Sequence, residues 1–139
     1  MYQKEVELPR KLVNELLHKA QLSPQHEVCG FVGIKGQTFS CYGIENIADE
    51  RATQFLMEPA QQLAAIKSMR EQEQEIFAIY HSHPTAPAIP SAMDIEHSAY
   101  PDAYYLIISL NTKGVLEMRC FKLLHDENIA EITLRMTEE

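Results

Sequence analysis

The chain has 139 residues, 45% of them apolar, with a formal net charge of −8 at neutral pH, which suits one domain over residues 1–139 with a real core. The acidic balance, without a Lys/Arg run, argues against nonspecific binding to nucleic acid or to an anionic membrane. No run of roughly 18 apolar residues could span a bilayer. In chain order, Lys4 to Leu8 reads as a short strand. Pro9 opens a helix to about Ala20, with Leu12, Val13, Leu16, Leu17 and Ala20 on its apolar face. After the loop Ser23 to His26, Val28 to Ile34 and Thr38 to Ile44 form a predicted hairpin turning at Lys35-Gly36. Asn46 to Gln54 is polar and irregular. A helical pattern runs from Pro59 to about Gln74, with Leu63, Ala64, Ile66 and Met69 expected inward and the acidic end Glu71 to Glu75 expected in solvent. Then come a strand from Glu75 to His81, a Pro-rich loop and a short helix from Ser91 to about Ala99. Ala103 to Leu110 and Val115 to Lys122 make a second hairpin through Asn111 to Gly114, and Ile129 to Leu134 is the last strand. This order fits a layered α/β domain with a mixed sheet.

The chemistry concentrates after the fourth predicted strand. His81 and His83 are separated by one residue, so on an extended strand both imidazoles project from one face and can reach one cation. Asp94 offers a hard oxygen ligand. Ser91-Ala92-Met93-Asp94, after Pro90, reads as a helix start with Ser91 as N-cap and Asp94 at N3, turned back toward the strand end. Two His and one carboxylate leave a fourth tetrahedral position open for water, the arrangement of catalytic zinc. Each half has a plainer reading: H-x-H as two satisfied histidines, S-x-x-D as a capping box. Together, with seven residues between His83 and Ser91, they leave those readings little room.

His81-Ser82-His83-Pro84, Ser91 and Asp94 resemble the signature of the JAMM (MPN-type) zinc metalloproteases, which also has a distant Glu. Glu27-Val28-Cys29-Gly30-Phe31-Val32-Gly33 is similar to the family's first-strand segment that carries this Glu. Asn46, Phe55 and Pro59 fall where family members carry N, F and P, and Tyr100 to Ser109 resembles the stretch that follows the signature. The resemblance covers most of the chain. It implies a three-layer, deaminase-like α/β fold with a mixed central sheet flanked by helices. It also implies Zn²⁺ on His81, His83 and Asp94, Glu27 as general base and then general acid, and Ser91 as an oxyanion-stabilising hydroxyl. The implied substrate is an amide bond after the C-terminal tail of a ubiquitin-like or sulfur-carrier protein. The compact spacing, with little space for insertions, looks like a minimal prokaryotic-type member.

Read without the resemblance, Glu27 is a solvated Glu at a strand start and Ser91 an N-cap. Cys29 shares the strand face of Glu27 and raises a second reading, a Cys-dependent hydrolase. A third is a non-catalytic MPN-type scaffold or binding module, which would have no chemical reason to keep all five residues. His97, one turn past Asp94, reads as solvent-facing, and His18, His26 and His125 have no second ligand at motif spacing. Cys29, Cys41 and Cys120 are odd in number and widely spaced, which suits reduced thiols. Met1 to Glu5 is polar with no apolar h-region behind it, so a cytoplasmic location is expected. The substrate's identity, the choice between peptide and isopeptide bonds and the oligomeric state stay open at this stage.

Overall fold

The computed structural model describes residues 3–96, 99–111, 116–124 and 128–138. Its elements are β1 (Glu5–Pro9), α1 (Arg10–Gln21), β2 (Cys29–Lys35), β3 (Thr38–Ile44), α2 (Pro59–Glu71), β4 (Glu75–His83), α3 (Ala92–Glu96), β5 (Tyr104–Ser109), β6 (Glu117–Leu123) and β7 (Ile129–Thr137). The strands form one seven-stranded sheet in the order β1-β7-β6-β5-β4-β2-β3. It is mixed: β1 lies parallel to β7 and β4 parallel to β5, while the other pairs are antiparallel.

Strand alternation divides the core in two. On one face Val32, Ala78, Tyr80, Leu106 and Ile108 pack under α1, which inserts Leu12, Val13, Leu16 and Ala20. On the other face Phe31, Ile79, Tyr105, Ile107 and Phe121 meet Ala65 and Met69 of α2 and Ala88 of the Pro-rich loop. Helices therefore cover both faces of the sheet, giving the three layers expected.

The details differ from the sequence pattern in places. Leu63 and Ala64 do not face inward: Leu63 is 69% exposed, and the buried face of α2 is Ala65 and Met69. Those two are one turn apart, whereas Leu63 is about 200° around the helix from Ala65 and points to water. β4 runs on to His83 because β5 stays in register with it as far as the His83–Ser109 pair. β7 reaches Thr137 because β1 pairs with it to its end. Pro9 closes β1 and serves as the N-cap of α1 without a side-chain cap. The turn proposed at Asn111 to Gly114 lies largely outside the described residues, as does the end of the Ser91 helix beyond Glu96. No helix among the described residues is long and apolar enough to cross a membrane.

Gly30 on β2 has no room for a side chain. A Cβ there would stand 2.6 Å from the Tyr80 hydroxyl and inside contact distance of the Tyr42 carbonyl. Tyr80 is fully buried and backbone cannot step aside, so Gly30→Ala should lower stability by about 3 kcal/mol, the upper end of overpacking costs. Urea unfolding measures this, and an unchanged midpoint would show that the ring and strand can shift.

Candidate active site

β4 ends at the site. His81 and His83 both leave its α2-side face and are buried, with Nε2 atoms 3.1 Å apart. The Asp94 Oδ2 atom lies 3.1 Å from His81 Nε2 and 3.3 Å from His83 Nε2. Three donor atoms on a tetrahedral ion with bonds of about 2.0–2.1 Å stand about 3.3 Å apart, so this triangle has the dimensions of a metal site. The donor chemistry agrees. The His83 Nδ1–H donates to the Pro87 carbonyl at 2.7 Å, which fixes the tautomer and leaves the Nε2 lone pair aimed into the triangle. His81 stacks on Phe55, with ring centroids 4.5 Å apart at 26°.

Asp94 is held in place by the helix start that carries it. The Ser91 N–H donates to Asp94 Oδ2 at 2.8 Å and the Asp94 N–H donates to Ser91 Oγ at 3.0 Å. This is the reciprocal cap read from S-x-x-D.

Glu27, far away in sequence, arrives at the same place. It is buried, and its carboxylate lies with the two imidazoles in a group whose ligand atoms are all within 4.8 Å of one another. Both Glu27 and Asp94 thus border the histidine pair; Asp94 makes the tighter triangle. The Oε1 atom of Glu27 and the Nδ1 atom of His81 are buried without a hydrogen-bond partner among the described residues. The Glu27 backbone is tethered on both sides. Its N–H donates to the Arg51 carbonyl at 2.7 Å, and its carbonyl accepts from Asn46 Nδ2 at 3.0 Å.

Burial governs the protonation of the group. It pushes the Glu27 carboxyl up to about 8, with the Asp94 charge adding to the rise and the His83 charge opposing it. His81 is pulled down, by burial before any other cause. For His83 and Asp94 burial is outweighed. The contacts with Asp94 and the Pro87 carbonyl raise His83, and the two imidazoles and the Ser91 N–H around its carboxylate hold Asp94 well below the usual carboxylate range.

All five residues singled out in the sequence therefore meet in one place. Cys29 does not join them as a nucleophile. It is buried, its thiol donates to the Ile44 carbonyl at 3.4 Å, and burial with the nearby Glu27 charge pushes it up to about 12. His18 and His26 are exposed and are not among the ligand atoms gathered there, while His97 and His125 lie outside the described residues.

Two contributors are marked in the sequence only by their family-like positions, with no role attached. Phe55 supports the His81 ring. Asn46 uses its whole hydrogen-bonding capacity: Nδ2 donates to the carbonyls of Glu27 and Gln54, and Oδ1 accepts from the N–H groups of Ala48 and Leu56. One side chain thus ties Glu27 to the loop between β3 and α2. That loop walls a cavity of about 360 Å³ beside His81 and Asp94, with Phe55, Leu56, Met57, Ile79, Tyr100 and Tyr105 among its lining.

The chain belongs to the family described as prokaryotic homologs of the JAB domain, whose pattern matches residues 9–123. The CysO-cysteine peptidase of Mycobacterium tuberculosis is 27% identical over 130 residues, spanning 92% of this chain and 88% of that protein. A probable TtuB-protein conjugate cleaving protease of Thermus thermophilus is 29% identical over 128 residues, spanning 91% and 82%. Among solved structures, protein DSY2949 from Desulfitobacterium hafniense matches with a TM-score of 0.82 and 31% identity over 96% of this chain and 93% of that one. The JAB1/MPN domain protein AF2198 from Archaeoglobus fulgidus shares the fold, with a TM-score of 0.58 and 14% identity over 94% and 99%.

Asn46→Ala should cost about 1–3 kcal/mol by leaving two carbonyls and two N–H groups without their partner. Asn46→Asp keeps the two accepted bonds and sets a carboxylate oxygen against the Glu27 and Gln54 carbonyls. Both variants should speed protease nicking in the loop after Asn46. Nicking at the wild-type rate would show that the loop is held by other contacts.

Proposed function

We propose that residues 1–139 act as one catalytic domain, a cytoplasmic zinc-dependent peptidase or isopeptidase. It hydrolyses the amide bond after the C-terminal tail of a ubiquitin-like or sulfur-carrier protein. The observation that carries this reading is the convergence of His81 Nε2, His83 Nε2 and Asp94 Oδ2 within 3.1–3.3 Å of one another, with buried Glu27 beside them. The names of the relatives, one a peptidase for CysO-cysteine and one a protease for TtuB-protein conjugates, favour a small carrier protein as the substrate.

In this reading His81, His83 and Asp94 would hold Zn²⁺, which when bound would supply Lewis-acid chemistry and bring the pKa of a bound water down to about 7. Glu27 takes the proton of the attacking water and delivers it to the leaving amine. Burial raises the Glu27 carboxyl to about 8 and the His83 charge works against that rise, so a cation held beside it would favour the base form. Ser91 serves two ends without conflict. Its oxygen accepts from the Asp94 N–H while its own hydrogen stays available to an oxyanion. The cavity beside His81 and Asp94 offers an extended tail apolar walls to lie against. Glycines at the end of such a tail allow the close backbone approach that the buried ligands demand.

Metal analysis of the purified protein should find one zinc per chain, lost on replacing His81 and His83 together. Stoichiometric zinc surviving that double change would sink the ligand assignment. Glu27→Gln should keep the zinc and lose about 10²–10⁴ in turnover. A fully active variant would remove Glu27 from the mechanism. On substrates, a ubiquitin-fold carrier joined through its terminal glycine to cysteine or to a lysine side chain should be cleaved, and a chelator should stop the reaction. Chelator-insensitive cleavage of that conjugate and of unrelated peptides alike would overturn the proposal.

A further inference from the structure

We propose that Ser82 is a positioning residue that sets Glu27 over the histidine pair, acting on turnover through Glu27; this rests on the acid/base role proposed for Glu27. Ser82 stands between the two histidines on β4, but alternation turns its side chain to the opposite face of the sheet, where it is completely buried. Its Oγ accepts a hydrogen bond from the Val28 N–H at 2.9 Å, and its own N–H donates to the Val28 carbonyl at 3.0 Å.

In a regular antiparallel pair the first of those bonds would run instead from the Val28 N–H to the Ser82 carbonyl. Here the hydroxyl takes the place of that carbonyl. β2 begins at Cys29, opposite His81, so Val28 is where the chain parts from the ladder. The residue before it is Glu27. The two other backbone bonds at Glu27, to Arg51 and Asn46, lead into the β3–α2 loop. The Ser82 clamp is thus a direct tie from the strand bearing the histidines to the peptide unit next to Glu27. It lets Glu27 lean over the site while the distance is set by the ligand strand itself. A misplacement of about 1 Å at such a group costs on the order of 10²-fold in rate.

The test uses Ser82→Ala, which leaves the part-buried Val28 N–H without its acceptor, and Ser82→Cys, a near-isostere with a weak acceptor that keeps the volume. Both should bind one zinc per chain. On a ubiquitin-fold carrier joined to cysteine, kcat should fall about 10- to 100-fold with KM within about twofold, and Ser82→Thr should recover most of the loss. In a Glu27→Gln background, Ser82→Ala should cause no further loss, because its effect runs through the missing carboxylate. A crystal structure of zinc-loaded Ser82→Cys should show the Glu27 carboxylate displaced while His81, His83 and Asp94 stay in place. Unchanged kcat in Ser82→Cys, losses that add in the double variant, or an unmoved Glu27 would overturn the proposal. The structural readout needs no turnover, so it decides the point even if the carrier conjugate is not cleaved. An active Glu27→Gln would instead sink the acid/base reading.

Discussion

The antiparallel pairing of β2 with β4 sets Cys29 opposite His81, and carrying that count one step past Val28 and Ser82 puts Glu27 level with His83. Two distant parts of the chain meet because two strand ends finish together. A slip of one residue would turn both histidines into the α1-side core and Ser82 into the site, since strand side chains change face at each residue. The register is protected by what it buries. Val32, Ala78 and Tyr80 fit under α1 only in this phase, while Phe31 and Ile79 fit under α2.

Most of the site could be read from the sequence because its logic is local. H-x-H on a strand and S-x-x-D at a helix start each fix a geometry over a few residues. Glu27 was reached only through its resemblance to a family segment, since its position depends on sheet pairing between residues 54 apart, as in the Val28–Ser82 bond. The pattern of β4 shows the same limit. The register shifts between Val32 and Gly33, and as a result Phe77 and Ala78, neighbours in sequence, both belong to the α1-side cluster while Ile76 and Ile79 belong to the other. Such a bulge leaves no mark on an apolar run like Ile76 to Tyr80. On α2 the error was one of phase. Leu63 and Ala64 are as apolar as Ala65, and only the neighbouring sheet decides which side is buried.

Burial and charge pull against each other at the site. Removing Glu27, His81 and His83 from water favours their neutral forms, and this is visible in the raised Glu27 and the lowered His81. Asp94 stays ionised because two imidazoles and the Ser91 N–H all meet its Oδ2 atom. A cation entering such a group would favour ionised carboxylates and neutral imidazoles. Binding of a metal and proton release are linked in any site built this way.

The sheet divides the labour between its faces. Polar side chains on the α2 side of β4 cannot contribute the packing that His81 and His83 displace, so the other side must hold the strand. Tyr80, next to His81 in sequence, lays its ring where a side chain on Gly30 would stand and ends 3.6 Å from where a Cβ on Gly43 would be. The two glycines are partners across β2 and β3, so one aromatic ring covers a gap spanning two strands. Ser82 adds its bond to Val28 one step further on. The residues alternating with the histidines thus tie β4 to β2 from behind, while the front of the same strand end brings two imidazole nitrogens to within 3.1 Å of each other.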